Sequence, residues 1–289
     1  MNIIVLGAGA IGTYIGALLS KKYRVKLVCK GKNLKKVEKK RVELRGYHKG
    51  IFYLSLYNHF PEIKENTLIL VTVKAYDLVD ALLRVKNKVK KDTIFLLIQN
   101  GLDIKERVLS FMHNKVVRAI TGIGAEILEQ GIINTSWGKI VIELSEVSKE
   151  IVNIFENCGF NARLSDDIKK DEWFKVCINA FVNPITALLK IKNSKLLNSH
   201  LKEIIQKIVD EVIHVAEMEG IDMDRERIER TIERLKNYNN FSSMYYDVVK
   251  GEKTEIDYIN GEIVKRGVEY GIDVSANKLL YSFIKFLET

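Results

Sequence analysis

Ile3-Ile4-Val5-Leu6-Gly7-Ala8-Gly9-Ala10-Ile11-Gly12 sets the architecture expected of this chain. The four leading apolar residues read as a buried strand, and a helical pattern follows the glycines to about Lys22. A second strand is expected over Val25–Cys29. Gly-x-Gly-x-x-Gly between a strand and a helix is the dinucleotide fingerprint in the context it requires. Gly7 permits the tight turn, Gly9 lets the backbone approach a pyrophosphate, and Gly12 lets helix and strand pack closely. The pyrophosphate then rests on the first amides of the helix, where the helix dipole favours negative charge. Gly7, Ala8, Gly9, Ala10, Ile11 and Gly12 are therefore the expected cofactor loop.

The end of the second strand bears on which dinucleotide is held. An NAD site places an acid there for the ribose 2′-hydroxyl. This chain has Cys29-Lys30-Gly31-Lys32, with no acid and two ammonium groups, which favours the 2′-phosphate of NADP(H). The same lysines also read as decoration of a solvated loop.

Outward from this unit, strands are expected at Thr67–Val73, Thr93–Ile98 and Val116–Ile120, with helical stretches at 75–90 and 102–111. That alternation predicts a mostly parallel, doubly wound sheet. Segments 41–56 and 125–143 read as added strands, many antiparallel, and a last strand lies near Phe160–Leu164. Ser165-Asp166-Asp167 then opens a helical region that runs to Thr289. The expected architecture is an α/β Rossmann-type domain over residues 1–165 and an all-α domain over residues 166–289.

Composition narrows the function classes. With 47% hydrophobic and 29% charged residues the 289-residue chain reads as globular. No apolar run approaches the ~18 residues of a membrane span, and the apolar start lacks the basic residues of a signal sequence. Cys29, Cys158 and Cys177 match no disulfide or zinc spacing, which points to a reducing, cytoplasmic setting and no metal. The net charge of +9 is uneven: residues 21–49 carry 13 Lys and Arg against two Glu. No aromatic platform accompanies that block, so an anionic cofactor fits it better than nucleic acid.

The helical region holds the second informative stretch, Glu-Trp-Phe-Lys-Val-Cys-Ile-Asn-Ala-Phe-Val-Asn-Pro-Ile-Thr-Ala-Leu at 172–188. Lys175, Asn179 and Asn183 recur every four residues and share one stripe of a helix. The rest is apolar, so the helix is expected to be buried and its polar stripe to wall a wet, charged cleft. Pro184 is expected to bend the helix at Ala180. A thin solvent-facing strip is the plainer alternative. At the carboxyl ends of strands, where α/β sheets bind ligands, stand Lys74 and Gln99-Asn100-Gly101. Farther on, Ser242-Ser243-Met244 offers a helix cap. Thr254 with Asp257 reads as a weak capping box that would put Glu255 in a first helical turn.

These blocks together resemble ketopantoate reductases (2-dehydropantoate 2-reductases) over essentially the whole chain. The resemblance rests on the glycine loop, Val71-Thr72-Val73-Lys74-Ala75, Gln99-Asn100-Gly101, Trp173-Phe174-Lys175 with Asn179 and Asn183-Pro184, Ser242-Ser243-Met244, and Thr254–Gly261. It implies NADPH-dependent reduction of a small-molecule 2-oxo acid, ketopantoate, in pantothenate and coenzyme A synthesis. In it Lys175 looks like the general acid, Asn179 and Asn183 like substrate-anchoring amides, and Ser243 like the contact to the substrate carboxylate. Asn100 and Glu255 look like residues shared by substrate and cofactor, and Lys30 and Lys74 like cofactor contacts. The family usually has Arg at Lys30, and Arg forks onto phosphate where Lys does not. It usually has Pro where this chain has Ser275. A homodimer built on the helical domain is compatible with this pattern. The alternatives are a reductase of another 2-oxo acid in the same two-domain class and a non-catalytic NADPH-binding regulator.

Overall fold

The computed structural model describes residues 1–29, 38–129 and 131–289. The chain divides into two compact units: residues 1–99 with 103–168, and residues 169–289 joined by the short segment 100–102. The first unit contains β1 (Asn2–Leu6), α1 (Ala10–Leu19), β2 (Val25–Val28), β3 (Glu38–Gly46), β4 (Gly50–Tyr57), β5 (Thr67–Val71), α2 (Leu78–Leu83), β6 (Ile94–Leu97), α3 (Ile104–Leu109), β7 (Lys115–Thr121), β8 (Gly124–Glu129), β9 (Ile132–Ser136), β10 (Lys139–Glu143), α4 (Ser148–Asn157) and β11 (Asn161–Ser165).

Among the described residues these strands form one sheet ordered β11-β10-β7-β6-β5-β1-β2-β4-β3-β9-β8. The centre, from β7 to β2, is parallel throughout. Strands buried on both faces need continuous apolar runs, and Thr67-Leu68-Ile69-Leu70-Val71 is buried at every position. Antiparallel pairs occur at β3–β4, β8–β9 and β7–β10. The chain leaves β1 toward β2 on one side and returns to β5 on the other. That reversal puts a topological switch point at the carboxyl ends of β1 and β5, the usual ligand position in such sheets. Ile3, Val5, Tyr14, Ile15 and Leu18 pack into the core beneath it.

The helical stretches expected at 75–90 and 102–111 are shorter and more broken in the structure. Only Leu78–Leu83 is α-helix in the first, between 3-10 turns at Ala75–Asp77 and Lys86–Lys88. The second begins at Ile104 because Asp103 takes a left-handed conformation, φ 56°.

The second unit is helical: α5 (Ile168–Leu189), α6 (Ser199–Met218), α7 (Arg225–Arg234), α8 (Ser243–Val249), α9 (Asn260–Tyr270) and α10 (Ser275–Leu287). Val176, Cys177, Ala180 and Phe181 of α5 pack with Ile208, Val212, Ile263 and Ile284 in its core. Among the described residues no helix is long and apolar enough to cross a membrane. Nor does any group of three His, Cys, Asp or Glu among them stand ready to hold a metal ion.

Candidate active site

The glycine loop sits where β1 hands over to α1. Gly7 has φ +122°, and a Cβ there would lie 2.7 Å from Val73 N. The Thr72 hydroxyl donates to the Gly7 carbonyl at 2.8 Å, and Gly7 N–H donates to Val28 O at 2.9 Å. A Cβ on Gly12 would collide with the Gly7 carbonyl and the Thr72 hydroxyl, so close packing demands glycine there too. Gly9 differs, since a Cβ would meet nothing within 4 Å. It caps α1 without a side-chain hydrogen bond, and no acid occupies the first turn formed by Ala10, Ile11 and Gly12. Open space above Gly9 and helix amides without a side-chain acceptor are what an anionic dinucleotide needs.

Lys74 follows β5 at the same edge and is half-buried. The edge itself is held by polar clamps. Gln99 Nε2 donates to Val71 O and Val73 O at 2.8 and 3.1 Å, and the buried Arg118 donates to Leu97 O and Gln99 O at 3.1 and 2.7 Å. Lys30, read from sequence as a phosphate contact, lies outside the described residues.

In the second unit, α5 carries Lys175, Asn179 and Asn183 on one stripe. Lys175 is half-buried and has no hydrogen bond or ion pair among the described residues, and burial pushes its pKa below the ordinary lysine value. Asn179 and Asn183 are buried. Asn179 Nδ2 donates to Asn100 Oδ1 at 3.4 Å, and Asn100 Nδ2 donates to Glu255 Oε2 at 3.0 Å. A buried carboxylate thus meets the stripe through one shared carboxamide. Gly101 makes this possible: its φ is +108°, a Cβ would sit 2.6 Å from Tyr258 Cβ, and Leu102 N–H donates to Tyr258 O at 3.2 Å.

The capping box expected at Thr254 does not form. The Thr254 hydroxyl oxygen accepts the Ile256 N–H at 3.1 Å, but Thr254 N–H and hydroxyl both donate to Glu288, and Asp257 accepts from Tyr281 and Lys285 instead of reaching back. Glu255 consequently precedes a short 3-10 turn, Ile256–Tyr258. Of the serine pair, Ser242 is the cap of α8, accepting from Tyr245 N–H at 3.1 Å, while Ser243 is exposed in the first turn. Thr186 ties this cap to α5: its hydroxyl lies within hydrogen-bond distance of Ser242 Oγ (2.8 Å) and of Val182 O (2.7 Å). The tie between Thr186 and Ser242 was not legible in sequence, because it joins residues 56 positions apart.

Residues 3–146 match the family described as Ketopantoate reductase PanE/ApbA, and residues 167–288 match its C-terminal counterpart, Ketopantoate reductase PanE/ApbA C terminal. The 2-dehydropantoate 2-reductase of Pyrococcus horikoshii is 30% identical, covering 100% of this chain and 98% of that protein. A crystal structure of a PanE/ApbA family ketopantoate reductase from Ralstonia eutropha JMP134 superposes with a TM-score of 0.90 at 25% identity, over 100% of this chain and 98% of that one. A D-mandelate dehydrogenase solved with NADH and anilino(oxo)acetate shares the fold, with a TM-score of 0.87 at 24% identity over 100% and 98% of the two chains. A parallel-rich nucleotide-type sheet, an all-helical second unit and whole-length similarity lead to one conclusion: the chain belongs to the ketopantoate reductase family and is an oxidoreductase.

Proposed function

We propose that this protein is an NADPH-dependent 2-dehydropantoate 2-reductase, which reduces the C2 carbonyl of ketopantoate to (R)-pantoate for pantothenate and coenzyme A synthesis. The observation that carries this reading is Lys175: a half-buried ammonium without a partner among the described residues, on one helical stripe with two buried amides.

In this reading the first unit binds the cofactor. The open backbone at Gly9 and the first amides of α1 (Ala10, Ile11, Gly12) take the pyrophosphate, with Gly7 and Ala8 shaping the turn. Lys74 and Lys30 supply positive charge to its phosphates. NADPH bound there supplies the hydride that reaches C2. The second unit binds the 2-oxo acid. As C2 is reduced, its carbonyl oxygen becomes an alkoxide, and Lys175 Nζ gives it a proton and becomes the neutral amine. Burial favours that loss, because it disfavours the charged form. Before transfer, the same ammonium stabilises the growing oxyanion. Asn179 and Asn183 anchor the substrate by hydrogen bonds, Ser243 meets its carboxylate, and Asn100 with Glu255 orients it.

The test is direct: follow NADPH absorbance with ketopantoate, then repeat with NADH. Efficient oxidation of NADPH supports the reading, and none with tight NADPH binding favours a sensor. Lys at position 30 meets a phosphate as a point charge where Arg would fork onto it. Equal use of NADH would therefore support a second reading, a reductase that is indifferent to the 2′-phosphate and acts on a related 2-oxo acid.

A further inference from the structure

Pro184 lies inside α5 and has no backbone N–H, so the Ala180 carbonyl four residues earlier loses its helical donor. That donor is replaced from another helix. Asn260 Nδ2, buried at the start of α9, donates to Ala180 O at 2.8 Å. The same carboxamide donates to Asn277 Oδ1 at 3.0 Å. Asn277 Nδ2 in turn donates to Glu211 Oε2 at 2.8 Å, and Glu211 accepts the N–H groups of Ala276 and Asn277 at 2.8 and 2.9 Å, capping α10. The gap in α5 is therefore wired to α6, α9 and α10 through buried groups.

Two features give this wiring a role beyond filling a gap. Asn260 Oδ1 is buried and accepts no hydrogen bond among the described residues. An unsatisfied buried carbonyl costs stability, which an apolar residue of similar size would avoid. And Ala180 stands between Asn179 and Asn183, so a bend there changes the aim of Lys175 and Asn179 relative to Asn183. We infer that Asn260 is a positioning residue: by holding the Ala180 carbonyl left open by Pro184, it fixes the course of the α5 backbone at that point and with it the aim of the Lys175–Asn179–Asn183 stripe. This rests on Lys175 being the proton donor proposed above.

The experiment is a double-mutant cycle on the full chain with NADPH and whichever 2-oxo acid the parent reduces, using Asn260→Leu, Pro184→Ala and the pair. Asn260→Leu is expected to lower kcat roughly 10-fold or more, the scale of small misplacements at a reacting centre, with the KM for NADPH unchanged. Pro184→Ala restores a backbone donor to Ala180 O, which then competes with Asn260 for that carbonyl. Its kcat should also fall while its Tm holds or rises, an outcome that a merely structural role would not produce. The pair should be no slower than the slower single variant, because both changes act on the same Ala180 carbonyl. A full kcat in either single variant, or losses that multiply in the pair, overturns the inference. If Asn260→Leu does not fold, Pro184→Ala alone decides, since unchanged turnover there removes the open Ala180 carbonyl from the mechanism. A parent that reduces no 2-oxo acid fails differently, by removing the proposed function and this role with it.

Discussion

Asn100 donates to the Glu255 carboxylate at 3.0 Å across 155 positions of sequence. The contact depends on Gly101, whose φ of +108° and missing Cβ let the 100–102 segment lie on Tyr258. Gly101→Ala must either shift that segment or strain it. A loss of about 1–3 kcal/mol is expected for a residue forced into such a conformation, together with a raised KM for the 2-oxo acid. Urea denaturation and steady-state kinetics on the same variant check both, and a variant with parental stability and KM would show that the contact is incidental.

If the glycine loop holds the cofactor as proposed, Gly9 and Gly12 should separate cofactor binding from folding. Gly9 has φ −72° and open space around its missing Cβ. Gly9→Ala should leave Tm within error of the parent yet weaken NADPH binding, because the methyl group occupies the approach to the pyrophosphate. Gly12→Ala should lower both, since its methyl collides with the Gly7 carbonyl inside the fold. Calorimetry and cofactor titration distinguish the two, and equal losses of stability would contradict the assignment of Gly9 to the ligand face.

Lys175 links pH to both rate and stability. Its folded pKa is depressed by burial, below the ~10.4 of an unfolded lysine. Between those two values the unfolded chain binds the extra proton, so stability should rise with pH across that window, while below it the buried charge is a constant penalty. In the proposed mechanism, where the ammonium is the proton donor, turnover should run the other way and fall as pH rises through the depressed value. Lys175→Met removes the penalty, so its Tm at neutral pH should exceed the parent's while turnover collapses. A lower Tm would mean that the ammonium contributes to stability.

The legible part of this protein was the part decided locally. A buried strand, three glycines and a helix constrain one another within ten residues, and the central parallel strands announce themselves as unbroken apolar runs. The Lys175–Asn179–Asn183 stripe was readable because polar groups at a four-residue period in an apolar segment fall on a single face of a helix. What misled was local hydrogen-bonding logic where distant partners win. Thr254 and Asp257 have the spacing of a cap, but Glu288 takes the Thr254 donors and Tyr281 and Lys285 take the Asp257 carboxylate, leaving only the Thr254 hydroxyl oxygen to accept the local Ile256 N–H. Asn260 was visible in sequence, while the role inferred for it follows only from the donor that Pro184 lacks and from the hydrogen bond that Asn260 makes to Ala180 O. No spacing rule encodes such an encounter.

Whether Lys175 supplies the proton to the reduced carbonyl oxygen is read most plainly from kcat of Lys175→Ala with NADPH and ketopantoate, alongside its affinity for NADPH. A fall of roughly 10²-fold or more is expected, the scale of general acid catalysis, with cofactor affinity unchanged because the glycine loop is untouched. Full turnover by the alanine variant would contradict the assignment.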